Sequence, residues 1–384
     1  MKENYRFINE VFRIVNGALR LDTDKVRNYT AFLADKLAEA GEESSAARLR
    51  KLLEESDHQL RPAKTSLAGA VPVDDESRFP LLEQVNLREL EEPKIVLSEA
   101  QAATAAEFLS VTKSHAQLEA EGLKASVSML LFGPPGCGKS HLARHIARKL
   151  GLDLYIARLD GLISSYLGST SKNIRALFEF AARTPCVLFL DEFDALAKLR
   201  GDTQELGELK RVVNSFIQNL DSLGTQSVVL AATNHHELLD AAVWRRFSYR
   251  IEMGYPDQER RSRMWREFLQ PLAFSKKDTE VLSDLSDGFS GSDIQEACLR
   301  LHRRRIMLHE QPDLKDAVEA LRGVAIGEGE GRRFLAGHKA SAAPELAAAL
   351  RERNAKLYSH AALGRLLGVS KTTAYRWTQE EAHG

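Results

Sequence analysis

A chain of 384 residues is long enough for two or three domains, one of them with a full-sized core. Hydrophobic residues make up 43% and charged residues 28%, the ordinary balance of a globular protein, and a formal net charge of -1 excludes a whole-chain electrostatic pull toward nucleic acid or acidic membranes. Three scattered cysteines, Cys137, Cys186 and Cys298, exclude a disulfide framework and read as reduced thiols. The N-terminus, MKENYRFINEVFRIV, lacks the apolar run of a signal peptide, and no apolar stretch is long enough to cross a bilayer. The expected setting is the cytoplasm, with no membrane partner.

Apolar residues at Tyr5, Ile8, Val11, Phe12 and Val15 share one helical face and predict a helix over residues 4–19. Two further helices are expected over 24–40 and 43–55, with Gly41 as the stop between them, so residues 1–57 read as a small helical hairpin or bundle. Residues 58–80, with Pro62, Gly69, Pro72 and an Asp-Asp-Glu run, have the composition of a linker. From 81 to 255, short apolar strands (128–132, 152–157, 186–190, 227–231) alternate with amphipathic helices (139–150, 171–182, 206–223). That alternation implies an α/β domain whose parallel sheet is covered on both faces. The chain is helical again over 256–322. A Gly-rich linker over 323–344 leads into a final helical segment, 345–384.

The sharpest pattern is Gly133-Pro134-Pro135-Gly136-Cys137-Gly138-Lys139-Ser140, which fits G-x-x-x-x-G-K-[ST] between an apolar strand and a helix. Glycines let backbone N–H groups turn in around phosphate oxygens, and the helix N-terminus adds the positive end of its dipole. Lys139 supplies a point charge to the β and γ phosphates. Ser140 offers a hydroxyl to Mg2+, which prefers hard oxygen ligands. With His141 beside it, this segment is the expected ATP-binding loop.

Downstream, the apolar run Cys186-Val187-Leu188-Phe189-Leu190 ends in Asp191-Glu192. Asp191 is placed to hold Mg2+ through water and Glu192 to orient or deprotonate an attacking water; on its own, such a pair merely caps the next helix. A third apolar strand, Val229-Leu230-Ala231-Ala232-Thr233, ends in Asn234, either a hydrogen-bonding partner for that water or the γ phosphate, or a plain turn residue.

These three strand ends, in this order, resemble the AAA family of ATPases, and the likeness runs over residues 95–305. It implies a P-loop NTPase domain followed by a helical lid. Leu239-Asp240-Ala241-Ala242-Val243-Trp244-Arg245-Arg246-Phe247 is similar to the family's second region of homology, whose two arginines reach a neighbouring subunit's ATP. The resemblance therefore assigns Arg245 and Arg246 to finger positions and implies a ring, a hexamer of this chain. Gly161-Leu162-Ile163-Ser164-Ser165-Tyr166-Leu167-Gly168 is similar to the first pore loop, with Tyr166 and Leu167 gripping a threaded polypeptide; residues 198–208, where a second pore loop would fall, are unspecific. Phe289-Ser290-Gly291-Ser292-Asp293-Ile294 resembles the start of the lid helix near adenine, and Ser290 and Asp293 also have capping-box spacing. No arginine opens that helix, as expected for the AAA family proper. Cys137 stands where the family usually has Thr, at a position that contributes mainly backbone. His141-Leu142-Ala143-Arg144-His145 lacks the Glu of H-E-x-x-H, so the likeness does not extend to members with a fused zinc protease.

Residues 360–377 resemble a helix-turn-helix, with Gly368 ending one helix and Ser370 capping the next. Lys371, Thr372, Thr373 and Arg376 would face a DNA groove, with Ala374 and Trp377 inward. Residues 351–384 carry six Lys/Arg against three Asp/Glu, only a mildly basic patch, and a plain tri-helical interaction module fits the same residues. Three functions follow. One is a motor that remodels or unfolds a protein substrate and feeds a partner protease, on a loose likeness to bacterial AAA ATPases paired with a subtilisin-like protease in phage defence. The second is a DNA-directed ATPase working through the C-terminal module. The third is a nucleotide switch without motor activity.

Overall fold

The computed structural model describes Val11 and residues 23–55, 71–74, 80–87, 92–123, 127–159, 167–195, 206–224, 226–325, 329–337 and 343–380. Contacts divide the chain into two units, Met1–Ala70 and Val71–Gly384. In the first, helices α1 (Thr23–Glu39) and α2 (Glu43–Glu55) pack through Ala34, Leu37 and Ala46, and Arg50 pairs with Asp35 at 2.7 Å. The helix expected over 4–19 lies outside the described residues apart from Val11, which is helical.

The second unit is built on a six-stranded sheet. Its elements are β1 (Glu83–Val85), α3 (Glu99–Lys113), α4 (His115–Ala120), β2 (Ser128–Phe132), α5 (Lys139–Leu150), β3 (Asp153–Arg158), α6 (Leu167–Arg183), β4 (Cys186–Asp191), α7 (Leu206–Ser222), β5 (Val228–Thr233), α8 (Ala241–Trp244) and β6 (Tyr249–Glu252). The strand order is β1-β3-β4-β5-β2-β6. Every pairing is parallel except β1 with β3, so the expected parallel sheet has one antiparallel edge strand. The central strands are continuous apolar runs because both of their faces are covered. Along β4, Leu188 and Leu190 enter a core with Leu177, Phe178 and Phe216 of α6 and α7, whereas Val187 and Phe189 enter the opposite core with Phe108, Leu142 and Ile146 of α3 and α5. Within the stretch expected as a linker, Val73 bridges Pro80, and Asp74 accepts from Asn173 Nδ2 of α6 at 2.7 Å.

The remaining helices are α9 (Gln258–Phe268), α10 (Lys276–Leu285), α11 (Gly291–Leu308), α12 (Leu314–Arg322), α13 (Glu330–Gly337), α14 (Ala343–Arg353), α15 (His360–Leu367) and α16 (Lys371–Glu380). They share one core, in which Trp265, Leu282, Phe289 and Leu301 of the lid meet Leu350, Tyr358, Leu363 and Ala374 of the C-terminal segment. Polar contacts cross the same seam. Asp284 accepts from Arg353 Nε at 2.9 Å and from the Tyr358 hydroxyl, and Arg365 pairs with Asp278 at 3.0 Å. No helix of the described residues is long and apolar enough to cross a membrane.

Between α15 and α16, Gly368 adopts a left-handed φ of 70°, and Ser370 Oγ accepts from Thr373 N at 3.0 Å, capping α16. A Cβ on Gly364 would come within 2.8 Å of the Val369 carbonyl oxygen, which explains a glycine where a helix interior otherwise favours alanine.

Candidate nucleotide site

The carboxyl end of β2 leads into the loop 133–138 and then α5. Gly133 has a φ of 133°, and its position is doubly demanding: a Cβ there would lie 2.5 Å from the Met253 carbonyl oxygen, a backbone atom that cannot swing away. Gly133→Ala is therefore expected to displace the loop from β6 and weaken ATP binding at least about tenfold, because loop geometry and nucleotide contacts are the same atoms. Titration with a fluorescent ATP analogue checks this, and unchanged affinity would show that the approach relaxes freely.

Lys139, the first residue of α5, is buried, and its ammonium donates to the Gly133 and Pro134 carbonyl oxygens at 2.7 and 2.9 Å. An ammonium has three N–H bonds, so one remains for an anion in the loop. Burial pushes the Lys139 ammonium below the usual lysine range, while Cys137, Asp191 and Asp194 act to raise it. Burial also pushes the Cys137 thiol up to about 11, against the pull of Lys139 and Arg260. At neutral pH that thiol is uncharged.

Two strands over, β4 ends at Asp191, whose Oδ1 accepts from Glu192 N at 3.0 Å. Glu192 then turns into the left-handed region with a φ of 55°, a conformation costing a non-glycine residue about 1 kcal/mol. Between β4 and β2 lies β5, which ends at Thr233 and is followed by Asn234. Asn234 Oδ1 is buried and has no hydrogen-bond partner among the described residues.

Asp194 escaped the sequence reading. It is buried at 3% exposure, and its Oδ1 accepts from Thr233 Oγ1 at 3.1 Å and Asn234 N at 3.4 Å. It ties the turn after β4 to the end of β5 and so fixes the backbone from which the Asn234 side chain projects. The signal available was a second carboxylate three residues after Asp191; only the adjacency of β4 and β5 gives it a partner.

The order β4-β5-β2 gathers these ends around a cleft of about 280 Å³. Pro135, Gly136, Cys137, Gly138, Lys139, Ser140 and His141 line it with Asp191, Glu192 and Asn234. Gly133 and Pro134 do not line it; their carbonyls hold Lys139. Ile95 and Val96 close one side, and Met264, Phe268, Gly291, Ser292 and Gln295 of the lid close another. Burial, reinforced by Arg144, lowers the His141 imidazole below its ordinary range, which makes it a neutral wall of the cleft. The residues fit a nucleoside triphosphate with Mg2+: the loop amides and Lys139 suit phosphate oxygens, the Ser140 hydroxyl and Asp191 carboxylate are hard donors, and Asn234 Oδ1 awaits a donor such as water.

Other predicted residues lie elsewhere. Arg245 and Arg246 are exposed and are not among the residues lining the cleft of their own chain; Arg246 Nε pairs with Asp221 of α7 at 3.2 Å. Tyr166 and the side chain of Leu167 lie outside the described residues. On α16, Lys371, Thr372 and Arg376 are exposed, while Thr373 is half-buried and its hydroxyl lies 2.8 Å from Ser370 Oγ, engaged in the helix cap. Ala374 is fully buried and Trp377 packs against the lid core.

A glycine loop between a central parallel strand and a helix, with an acidic strand end two strands away, defines a P-loop nucleoside triphosphatase. The family model described as "ATPase family associated with various cellular activities (AAA)" matches residues 129–255. The AAA family ATPase y4kL of Sinorhizobium fredii is 38% identical over 264 residues, which cover 68% of this chain and 78% of that protein. The ATP-dependent zinc metalloprotease FtsH 3 of Sphaerobacter thermophilus is 33% identical over 225 residues, 56% of this chain and 46% of the relative. Vacuolar protein sorting-associated protein 4 of Dictyostelium discoideum is 36% identical over 172 residues, 43% of this chain and 38% of the relative. The chain thus spans less than half the length of these last two. Among solved structures, the FIGL-1 AAA domain in complex with ADP superposes with a TM-score of 0.51 at 25% identity, covering 68% of this chain and 91% of that one. This chain belongs to the AAA family of ATPases.

Proposed function

We propose that the chain is the subunit of a ring-shaped motor, a hexamer, that hydrolyses ATP to remodel or unfold a protein substrate. The observation that carries this reading is an incomplete site: one chain gathers Lys139, Ser140, Asp191, Glu192 and Asn234 at one cleft yet leaves Arg245 and Arg246 exposed away from it. In this reading the loop amides and Lys139 bind the phosphates. Ser140 and Asp191 would hold Mg2+, which would supply positive charge against the phosphates. Glu192 takes the proton of the attacking water, and Asn234 orients it. Arg245 and Arg246 of the next subunit meet the terminal phosphate bidentately as charge moves to the leaving oxygen.

A protein substrate is supported by the relatives, one of them named as a metalloprotease and one as a sorting protein, and by the pore-loop pattern at Tyr166 and Leu167. Delivery to a separate protease in a defence system extends the same reading on the likeness of chain organisation. A second reading is a DNA-directed ATPase, favoured by the exposed Lys371, Thr372 and Arg376 on the capped helix α16.

The two readings separate in one assay. An unfolded protein is expected to stimulate turnover several-fold, with Tyr166→Ala losing the stimulation and keeping basal turnover. Stimulation by duplex DNA alone, lost in Arg376→Ala, would replace the protein motor with the DNA-directed enzyme. Nucleotide binding without turnover in any condition would remove both and leave the switch.

A further inference from the structure

The lid and the phosphate loop touch through a chain of polar groups that begins well outside both. Ser292 N donates to the Gly136 carbonyl oxygen at 3.0 Å, and a Cβ on Gly136 would strike Ser292 Oγ and Ser290 Oγ at 2.2 and 2.7 Å. The loop and the start of α11 are therefore in close register. Ser290 and Ser292 hydroxyl oxygens lie 3.0 Å apart. Ser290 N donates to Asp293 Oδ2 at 2.7 Å and Asp293 N donates back to Ser290 Oγ at 3.3 Å, the capping box of α11, while the Ser290 hydroxyl also lies 2.6 Å from Asp293 Oδ2.

That carboxylate oxygen has one more partner. Arg332 of α13, 39 residues further along the chain, donates to it from a guanidinium nitrogen. The two side chains are only 11% and 22% exposed. The same guanidinium lies over the buried Phe289 ring, 4.9 Å from its centroid. The start of α13 is itself clamped: Gly331 N donates to the Asp287 carbonyl oxygen at 3.2 Å, and a Cβ there would sit 2.4 Å from the Leu285 carbonyl oxygen. Arg332 is thus presented, from beyond α12, to the carboxylate that closes the capping box of the lid helix.

We infer that Arg332 is a positioning residue for nucleotide binding: it locks the Asp293 carboxylate in the rotamer that caps Ser290, and so holds the lid helix in register with Gly136. A charge-assisted hydrogen bond from a guanidinium that also lies over the Phe289 ring fixes direction as well as charge, which a neutral residue cannot. Without it, Asp293 can rotate, the cap at Ser290 loosens, and the Ser292–Gly136 contact is formed only part of the time. Nucleotide then binds a competent arrangement that is less populated, and apparent affinity falls by that fraction. The chemical step uses the ends of β4 and β5, whereas Arg332 acts on Asp293 and Phe289 of the lid, so turnover at saturation is spared.

The test is direct binding of a fluorescent ATP analogue together with steady-state kinetics on the full chain. Arg332→Ala is expected to raise Kd and KM about tenfold with kcat within about twofold, and Arg332→Lys to recover part of the affinity. A folded Arg332→Ala chain with parental Kd and KM, or with kcat and KM damaged alike, would overturn the inference. Should Arg332→Ala fail to fold, a cycle decides. Asp293→Asn combined with Arg332→Lys is expected to bind no more weakly than Asp293→Asn alone, and fully additive losses would contradict the coupling. The inference rests on the ATP site; if the parental chain bound no nucleotide, or Lys139→Ala bound as well as the parent, that site would fail rather than Arg332.

Discussion

Glu192→Gln is expected to bind ATP with an affinity within about threefold of the parent and to hydrolyse it about a thousandfold more slowly. The size of the effect follows from what is removed. Glutamine keeps the shape and length of glutamate but cannot accept a proton from water, and a positioned general base contributes about 10²–10⁴ in rate. The binding atoms are elsewhere, in the loop amides, Lys139 and the walls formed by Val96 and Met264. Backbone strain does not confuse the comparison, because the left-handed φ of 55° at this position costs a glutamine about what it costs a glutamate. The variant is also expected to hold the assembled ring for longer, since bound ATP is not consumed. Single-turnover hydrolysis and analogue titration on the same preparation separate the two quantities. Full turnover in the variant would remove Glu192 from the reaction, and loss of binding with loss of turnover would make it a structural residue.

The parts of this site that were legible beforehand are those whose chemistry is local in sequence. The loop Gly133–Ser140 carries its own geometry in its glycines, and β2, β4 and β5 announce themselves as apolar runs too short for helices, β2 closed by Gly133 and the other two by polar residues. The edge strands were not legible. Glu83–Val85 is three residues long and mostly polar, and Tyr249–Glu252 buries only Ile251 well, so neither presents a pattern longer than a turn of noise. Helix α3, Glu99–Lys113, was missed because its alanines blur the apolar stripe that Ala105 and Phe108 bury. Asp194 and Arg332 were missed for a different reason. Each acts on a partner far away in sequence, Asn234 in one case and Asp293 in the other, and no spacing rule reaches across 39 or 40 residues. The common core of lid and C-terminal helices falls in the same class. Amphipathic faces predict that Leu350 and Leu363 are buried, not that Trp265 and Leu282 are what buries them.

The second large effect concerns Arg245 and Arg246. The double variant Arg245→Ala/Arg246→Ala is expected to bind ATP normally and to lose about 10³ or more in turnover, the magnitude an arginine finger supplies. Both side chains are exposed, and the ion pair of Arg246 with Asp221 joins two groups about half exposed, so its loss changes stability little. A second inactive variant, Lys139→Ala, damages the other half of the site by removing the ammonium from the loop. Neither variant is expected to be active alone. In a ring containing both, an arginine-less subunit has an intact cleft, and a Lys139→Ala neighbour brings it intact arginines. At a one-to-one ratio, about a quarter of the interfaces in a randomly mixed ring are whole, a consequence of heterologous, head-to-tail contacts. The most direct test of a site shared between subunits is therefore the ATPase rate of the two variants co-expressed at varied ratios. Activity is predicted to rise from near zero at either end to about a quarter of the parental rate at equal proportions. A flat baseline at every ratio, or an arginine-less ring that turns over at the parental rate by itself, would contradict it.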